Sequence, residues 1–317
     1  MNWKGDVIII GAGPAGCSCA LWMKMLGFRP LLIEKEERIG GLQRISPYPN
    51  EWLAVLPGVT GTEVADLMEK QMEAHKIATW TSARIVNLSV DGQAVVEVDA
   101  AGEKRKATAP FLVLATGVRP VSNGYTPSKT IMVGPGQVVA SGKYEGKRVA
   151  VLGGGDNAFE NALFIGERGA TEVKLFARNL RARREFIEKV PTSWIVVGDY
   201  EVDTEAMTVN GEKFDIIGVF YGWTANNPFS EVLPLAINDK GFIISDERCR
   251  TNLENVYAIG ELAQKVHPCV VTAMAEGVIA AKDIQHRLEA DFITGLTAKL
   301  KRGASMASWL FNAAGKD

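Results

Sequence analysis

Short apolar runs rich in β-branched residues recur along the chain, and each predicts a strand that is buried on both faces of a parallel sheet. The first run, DVIII at 6–10, precedes a helical segment, CSCALWMKMLG, and then a second run, PLLIEKE at 30–36. The same order of strand, helix and strand returns in KRVAVLGGGDNAFENALFIGERGATEVKLFAR at 147–178. This internal repeat predicts an α/β protein with two Rossmann-like dinucleotide-binding units.

The first strand and helix are joined by glycines in G-x-G-x-x-G spacing. Gly11 permits the tight turn, Gly13 lets a pyrophosphate approach the backbone, and Gly16 lets the helix pack on the strand. The helix N-terminus offers free N–H groups and a positive dipole end to phosphates. Glu34 ends the next strand, where its carboxylate can accept hydrogen bonds from a ribose. The predicted residues of this site are Gly11, Gly13, Pro14, Ala15, Gly16, Glu34 and Lys35.

The second repeat keeps the motif as G-x-G-x-x-A, but its second strand ends differently. The segment LFARNLRARR at 175–184 has no acid for a ribose hydroxyl and carries four arginines instead. These arginines indicate either a site for a ligand that carries phosphates or a solvated basic patch, and the pattern leaves both open. The predicted residues of this second site are Gly153, Gly155, Asp156, Asn157, Ala158, Arg178 and Arg183.

Composition narrows the function classes. A formal net charge of -2 over 317 residues gives no basic field for nucleic acid. No apolar run approaches the ~20 residues that span a bilayer, and MNWKGD leads directly into a strand, which argues against a signal peptide. Four cysteines without a secretory signal indicate a reducing, cytoplasmic compartment. Three histidines without clustered ligands predict no metal site.

Two further strands carry a family resemblance. FLVLATG ends in Ala115-Thr116-Gly117, and NVYAIGE ends in Gly260-Glu261 before a helix predicted from about Val270. With the first glycine motif, this layout resembles the two-dinucleotide flavoprotein disulfide reductases. GGLQ at 40–43 resembles their flavin-contacting loop, and LPGVTGTEVADLMEKQMEAH at 56–75 resembles a segment of low-molecular-weight thioredoxin reductases.

The resemblance covers the chain to about residue 290 and implies FAD in the first site and a homodimer. Glu261 stands where the family usually has Asp, so it keeps the carboxylate for a ribityl hydroxyl on a longer arm. Tyr48 and Trp52 lie close to the flavin loop, where either can stack on the isoalloxazine ring or pack in the core. The flavin-binding residues implied in addition are Gly41, Leu42, Gln43, Tyr48, Ala115, Thr116, Gly117, Gly260, Glu261 and Val270.

The family places the second unit as an insertion. Its hinges would lie in GVRPVSNG at 117–124 and YGWTANN at 221–227. The expected division is therefore an FAD-binding domain of residues 1–118 and 226–317, with a C-terminal tail at 291–317, and a second dinucleotide-binding domain of residues 119–225.

Two family features are eroded or missing. Of the His-Arg-Arg…Arg pattern that clamps the 2′-phosphate of NADPH, only Arg178 and Arg183 fall on matching positions. NADP(H) therefore stays an alternative for the second site, beside a second FAD. The positions of the C-x-x-C disulfide, 136–139, hold Gly-Gln-Val-Val, which excludes the ordinary reduction of thioredoxin through that disulfide.

Three cysteines are the candidates for thiol chemistry. Cys17 and Cys19 would diverge by ~200° on a helix, so a disulfide between them would be strained and oxidising. Both can equally be small residues that pack the helix. Cys269 aligns with a residue that the family places beside the isoalloxazine ring, and a helix N-terminus stabilises its thiolate. It can equally be a buried residue at the start of the helix without a redox role. A Cys17–Cys269 pair is also open, whereas Cys249 is interpreted as structural.

This sequence lacks the C-x-x-C but keeps cysteines near the flavin, and in this it resembles the diflavin-linked disulfide oxidoreductase branch of the family. This implies an FAD-dependent oxidoreductase that passes electrons from a small-molecule or protein dithiol to flavin. The alternatives are an NAD(P)H-dependent flavin reductase, resembling ferredoxin–NADP reductases, and a non-catalytic flavin sensor. In the tail, basic Lys299, Lys301 and Arg302 before Trp309-Leu310-Phe311 suggest peripheral membrane contact, a flavin lid or a dimer contact.

Overall fold

The computed structural model describes the backbone of residues 2–313 and the side chains of residues 2–290, 292–294, 296–297 and 300. The last four residues of the predicted tail lie outside this range, and so do the side chains on which its expected membrane contact rests, namely Lys299, Lys301, Arg302, Trp309, Leu310 and Phe311. The strands are β1 Asn2–Lys4, β2 Val7–Ile10, β3 Pro30–Ile33, β4 Ala78–Trp80, β5 Ala83–Asp91, β6 Gln93–Ala100, β7 Glu103–Ala109, β8 Phe111–Leu114, β9 Val118–Pro120, β10 Ile131–Val133, β11 Arg148–Leu152, β12 Glu172–Ala177, β13 Ile195–Val197, β14 Val202–Asp203, β15 Thr208–Val209, β16 Glu212–Lys213, β17 Ile216–Val219, β18 Trp223–Ala225 and β19 Val256–Ala258. The α-helices are α1 Pro14–Met25, α2 Gly61–Ala74, α3 Gln137–Ala140, α4 Asp156–Glu167, α5 Arg184–Lys189 and α6 Val270–Ala313.

The first nucleotide motif belongs to a five-stranded parallel sheet of order β19-β8-β2-β3-β4. Ile10 pairs with Leu114 and Ile33, so the carboxyl ends of these strands share one edge. Val7 and Ile9 face a core built with α1, α2 and α6, while Ile8 faces the core shared with the β5–β7 meander. Burial on both faces explains why the strand is apolar without alternation.

A second parallel sheet, of order β10-β17-β11-β12-β13, carries the repeated motif. Leu152, at the end of β11, pairs with Phe176 and Val219, so the loop after β11 again opens at the carboxyl edge. Helix α4 covers one face, and the small β14–β16 sheet lies on the other. The predicted α/β architecture with two Rossmann-like units is confirmed.

The two sheets are joined by a two-stranded antiparallel ribbon, β9 with β18, in which Trp223 pairs with Pro120. Strands of the first sheet lie before β9 and after β18 in the chain, and strands of the second lie between them. This order agrees with an inserted second unit. The boundaries at 118/119 and 225/226 stay a prediction.

Helix α6 begins at Val270, as predicted, and continues to Ala313. It starts at the edge that carries Gly260, and at 1.5 Å per residue position 291 lies roughly 30 Å along its axis. The tail as a flavin lid, a dimer contact or a membrane contact stays a prediction. Exposed apolar side chains stand on the described part of the extension, namely Phe292, Ile293, Leu296 and Leu300.

Candidate functional site

The first glycine motif forms a cradle that a larger side chain would fill. Gly11 has a φ of +104°, and a Cβ built on it would lie 2.4 Å from the carbonyl oxygen of Ala115. A Cβ on Gly16 would lie 1.9 Å from the carbonyl oxygen of Gly11. Gly13 caps α1 without a side-chain hydrogen bond, and a Cβ there would meet only the Cα of Gly41, at 3.8 Å. The fold thus requires two of the glycines, while the third leaves space at the helix N-terminus for a phosphate.

Glu34 is held at the end of β3 by backbone donors. Its buried carboxylate accepts the N–H of Ala12 at 2.8 Å and the N–H of Glu36 at 3.1 Å, one on each oxygen. Each carboxylate oxygen keeps further acceptor capacity, so the group can still receive a ribose hydroxyl. Lys35 is exposed and lies 3.3 Å from Glu36.

The loop at 40–45 packs directly on this cradle. The N–H of Gly40 donates to the carbonyl oxygen of Ala12 at 2.8 Å, and Arg44 forms ion pairs with Asp66 and Glu69 of α2. A short 3₁₀ turn, Gly41–Ile45, therefore sits beside the phosphate position. The predicted flavin-loop residues that it presents are Gly41, Leu42 and Gln43.

The segment 115–117, which follows β8, is tied to the second hinge. The Thr116 hydroxyl donates to the carbonyl oxygen of Asn226 at 2.6 Å, and the Asn226 amide donates back to the carbonyl oxygen of Thr116 at 3.1 Å. The N–H of Asn226 also donates to the carbonyl oxygen of Gly117, at 2.9 Å. Ala115 and Thr116 are thus fixed over Gly11 by a residue about 110 positions away, as the Thr116–Asn226 separation shows.

The turn after β19 is held by an acid that sequence reasoning missed. Glu276 of α6 is buried and accepts the N–H of Gly260 at 2.6 Å. Burial raises its pKa, and Lys265, whose Nζ lies 3.9 Å from a carboxylate oxygen, opposes that rise. Burial also raises the pKa of Glu261, which lines a narrow cleft with Pro268 and Thr272. In the sequence Glu276 has the pattern of an ordinary exposed acid on a helix, so the pattern alone does not predict that it is buried or that it binds Gly260.

These features fit FAD on observations of the chain itself. The cradle at Gly13 accepts a pyrophosphate, Glu34 faces the ribose position, and Glu261 stands one residue beyond the anchored Gly260. Gly260 has a φ of +70°, and a Cβ on it would lie 3.0 Å from the Cβ of Ala15. The turn after β19 therefore lies close to the first turn of α1. Val270, another predicted flavin residue, is the first residue of α6.

The second motif is built in the same way. Gly153 has a φ of +143°, and a Cβ on it would lie 2.4 Å from the carbonyl oxygen of Phe220. Ala158 is fully buried, 3.1 Å from that same built atom. Gly155 caps α4 with no side-chain hydrogen bond, and a Cβ on it would have no atom within 4 Å. This cradle therefore also fits a dinucleotide, with Asp156 and Asn157 opening the helix.

The arginines expected at a 2′-phosphate already have acidic partners. Arg183 Nε lies 2.8 Å from Asp156 Oδ2, and the backbone N–H of Arg183 donates to Asp156 Oδ1 at 2.7 Å. Arg178 Nε lies 3.8 Å from Asp199, and both side chains are exposed. A 2′-phosphate would therefore compete with carboxylates for both guanidinium groups.

Tyr48 and Trp52 contact the second unit. The Tyr48 ring meets Phe164 of α4 edge-on at 5.2 Å, and its hydroxyl donates to Asn161 at 3.4 Å. The guanidinium of Arg183 lies 5.3 Å from the centroid of the Trp52 ring. The loop that carries these two residues, for which stacking on a flavin and packing in the core were both left open, thus spans from the first unit to the second. The role of Tyr48 in flavin binding stays a prediction.

The two cysteines of α1 are buried free thiols in different surroundings. Cys17 Sγ donates to the carbonyl oxygen of Ala12 at 3.3 Å, and burial, with the charge of Glu34 as a smaller cause, raises its pKa to about 12. Burial also raises the pKa of Cys19, and the neighbouring Cys249 thiol is a smaller cause in the same direction. At neutral pH both sulfurs therefore stay protonated, and the thiol rather than the reactive thiolate is present.

Cys249 is fully buried beside a lysine. Lys265 Nζ donates to its Sγ at 3.2 Å and to the carbonyl oxygen of Asp246 at 2.8 Å. Burial raises the pKa of Cys249 to about 11, although Lys265 acts in the opposite direction. This agrees with the structural interpretation of Cys249.

Cys269 differs from the other three cysteines because it is only partly buried. It precedes the first turn of α6, where the N–H of Thr272 donates to its Sγ at 3.5 Å and the Thr272 hydroxyl lies 3.3 Å away. Pro268 and Thr272, on either side of it in the chain, line the cleft with Glu261. The structure therefore brings one of the three candidate cysteines to an accessible position at the predicted flavin edge.

The part of the chain that the structure describes contains neither a candidate metal cluster nor a helix able to span a membrane. Among its residues, no three histidine, cysteine, aspartate or glutamate side chains gather where a metal ion could be held. Within the same range, none of the helices combines the length and the apolar character that crossing a lipid bilayer demands.

Comparisons with known proteins agree with this geometry. The profile of the pyridine nucleotide-disulphide oxidoreductases matches residues 5–277. A thioredoxin reductase of Peptoclostridium acidaminophilum is 30% identical, covering 90% of this chain and 98% of its own, and a ferredoxin–NADP reductase of Limosilactobacillus fermentum is 29% identical, covering 82% and 86%. The crystal structure of Lactococcus lactis thioredoxin reductase superposes with a TM-score of 0.75 at 21% identity, covering 89% of this chain and 98% of its own, which supports the fold.

Proposed function

Since the chain belongs to the pyridine nucleotide-disulphide oxidoreductase family and is an FAD-dependent oxidoreductase, we propose a specific activity within that class. The proposed activity is that of a dithiol/disulfide oxidoreductase that works without the C-x-x-C. In this proposal electrons pass from a small-molecule or protein dithiol to the flavin. FAD, when bound, accepts the two electrons that oxidation of a dithiol to a disulfide releases.

The placement of Cys269 carries this proposal. It is the only cysteine of the four that is not buried, and the cleft beside it contains Glu261. The Cys269 sulfur lies at the N-terminus of α6, where it accepts the N–H of Thr272 at 3.5 Å. Cys17 and Cys19 stay candidates for the second sulfur, but their burial means that they must be exposed or deprotonated before they react.

In this proposal the chain itself binds the cofactor and positions the reactive thiol. The glycine cradle and Glu34 hold the cofactor, and Glu276 fixes the turn that carries Glu261. When Cys269 is disulfide-bonded to a second cysteine of the chain, a substrate thiolate attacks that disulfide and forms a mixed disulfide while one protein thiolate leaves. The second thiol of the substrate then displaces the remaining protein sulfur, which leaves an oxidised substrate and a reduced cysteine pair whose two electrons bound FAD would accept. The substrate must therefore reach the cleft at the start of α6.

Anaerobic reduction of the bound flavin by dithiothreitol tests this proposal. We expect Cys269→Ser to slow flavin bleaching at least about tenfold, because serine cannot form the mixed disulfide. Cys249→Ser serves as the matched control and should bleach at the wild-type rate. Unchanged bleaching in Cys17→Ser, Cys19→Ser and Cys269→Ser alike would rule out cysteine-based electron transfer.

A second candidate is an NAD(P)H-dependent flavin reductase without a disulfide. The intact second cradle at Gly153–Gly155 supports it, as does the similarity to a ferredoxin–NADP reductase. It requires rapid flavin bleaching by NADPH or NADH under anaerobic conditions in the absence of any thiol. Slow bleaching by both nucleotides, together with fast bleaching by dithiothreitol, would exclude it.

The occupant and partners of the second unit are also proposals. Two FAD molecules per chain, measured as flavin released on denaturation, would support the diflavin reading, and one would leave the second site to NADP(H). A homodimer and a cytoplasmic location follow from the resemblance and the cysteine usage. Peripheral membrane contact through α6 is supported by exposed Phe292, Ile293, Leu296 and Leu300, and vesicle cosedimentation tests it.

A further inference from the structure

Trp52 lies where the first unit meets the second nucleotide motif. We propose that Trp52, carried by the loop at 46–58 of the first unit, completes the second dinucleotide site by packing against the adenosine half of its ligand. The inference rests on the proposed function only in so far as a dinucleotide occupies the second cradle. It does not depend on which cysteine reacts.

Arg183 connects Trp52 to that cradle. Its guanidinium lies 5.3 Å from the Trp52 centroid and 4.6 Å from the Phe186 centroid. The same side chain is ion-paired with Asp156, the first residue of α4, at 2.8 Å. Two contacts, Trp52 to Arg183 and Arg183 to Asp156, therefore lead from the Trp52 ring to the helix N-terminus that would receive a pyrophosphate.

The loop that presents Trp52 is anchored on both sides. Leu53, the next residue, is buried in the core of the first unit. Tyr48 contacts Phe164 at 5.2 Å and Asn161 at 3.4 Å on α4. Trp52 is nevertheless 72% exposed. A large aromatic side chain is thus held in place by its neighbours while most of its surface stays available to a ligand.

The position of the ring selects the part of the ligand that it meets. In a dinucleotide-binding unit the pyrophosphate lies at the N-terminus of the first helix, and the adenosine ribose lies at the end of the second strand. Asp156 marks the first of these points, and the segment from Arg178 to Arg183 follows the second. Trp52, over Arg183, therefore borders the adenosine side, where an indole ring can stack on adenine.

NADP(H), NAD(H) and FAD share the adenosine diphosphate group, so ADP-ribose is a suitable probe. We would titrate it into the FAD-loaded protein by calorimetry and compare Trp52→Ala, Trp52→Phe and Val55→Ala. Val55 lies on the same loop and is 85% exposed, so its variant controls for changes in the loop itself. Loss of one aromatic stacking contact should weaken binding by about three- to tenfold.

We expect Trp52→Ala to raise the Kd for ADP-ribose by that factor, with Trp52→Phe and Val55→Ala within about twofold of the wild type. If the wild type carries two flavins per chain, the readout becomes the Kd of the second flavin, titrated into protein from which flavin has been removed, and this Kd should rise by the same factor in Trp52→Ala alone. Equal affinity of Trp52→Ala and Val55→Ala, for ADP-ribose or for the second flavin, would overturn the inference. Failure of the one-flavin wild type to bind ADP-ribose would also overturn it, whereas thiol-driven bleaching of the first flavin would still test the proposed function separately.

Discussion

Replacement of Gly13 by alanine should separate the fold from cofactor binding. Gly13 has φ −79° and ψ −173°, a conformation that any residue adopts, and a Cβ on it would lie 3.8 Å from its nearest neighbour, the Cα of Gly41. Gly16→Ala is different, because its Cβ would lie 1.9 Å from the carbonyl oxygen of Gly11. We therefore expect a folded protein with weakened FAD binding from the first substitution and a destabilised protein from the second.

The magnitudes follow from these contacts. Alanine caps a helix less well than glycine, by about 0.5–1 kcal/mol, but it restricts the unfolded chain and regains about 0.4–1 kcal/mol. The free energy of unfolding of flavin-free Gly13→Ala should therefore stay within about 0.5 kcal/mol of the wild type. If the methyl group displaces the pyrophosphate from one backbone N–H, the loss is about 1.5–3 kcal/mol, a ten- to hundredfold rise in Kd. Gly16→Ala should cost about 1–3 kcal/mol of stability.

The assay has two parts. Flavin titration of the flavin-free protein gives the Kd for FAD, and denaturant unfolding of the same sample gives stability without the contribution of bound ligand. Gly155→Ala, at the equivalent position of the second motif with no atom within 4 Å of its Cβ, is the matched control and should leave the first flavin bound. Wild-type FAD affinity in Gly13→Ala would refute the placement of the pyrophosphate at this helix N-terminus. Destabilisation equal to that of Gly16→Ala would refute the steric argument.

Two further predictions concern stability, and a third concerns the accessibility of a thiol. Asp283 is buried and accepts hydrogen bonds from Arg250 and Tyr257. Burial alone would raise the pKa of this carboxyl, but the two partners outweigh it and lower the pKa to about 2. Since an unfolded aspartate has a pKa of about 3.9, the carboxylate stabilises the fold above about pH 4 and loses that effect as the pH falls toward 2. Asp283→Asn should therefore cost about 2–3 kcal/mol at pH 7 and flatten the acid limb of a pH–stability curve, and an unchanged acid limb would contradict this. Thr60→Ala removes the capping box of α2 that Thr60 forms with Glu63 and should cost about 1 kcal/mol in denaturant unfolding, with no change in FAD affinity. Cys17→Ala should leave the iodoacetamide reactivity of the native protein unchanged, because the Cys17 thiol is buried; a lower labelling rate would show that Cys17 is accessible.

The nucleotide motifs were predictable because their physics is local. The tight turn at Gly11 and the close packing at Gly16 depend on residues within one strand, one loop and one helix. The start of α6 at Val270 was found for the same reason, since the turn before it and the helical periodicity after it lie together in the chain. The resemblance supplied the nature of the cofactor, which glycine spacing alone does not specify.

Residues that act through distant partners escaped prediction. Glu276 holds the turn at Gly260, and Asn226 holds Thr116, across separations of 16 and 110 residues. Each is an ordinary polar residue in its local sequence. The contact between Trp52 and Arg183 likewise depends on how the inserted unit packs against the loop at 46–58.

By itself the sequence determined the two dinucleotide cradles, the absence of a C-x-x-C at 136–139 and the three cysteines to which thiol chemistry was narrowed. Only the tertiary structure decided how exposed each of those cysteines is: Cys17 and Cys19 are buried, whereas Cys269 is partly exposed at the first turn of α6. The reason is that a glycine's steric role is fixed by its immediate neighbours along the chain. The reactivity of a thiol depends on its desolvation and on nearby charges, and those are set only when distant segments pack together.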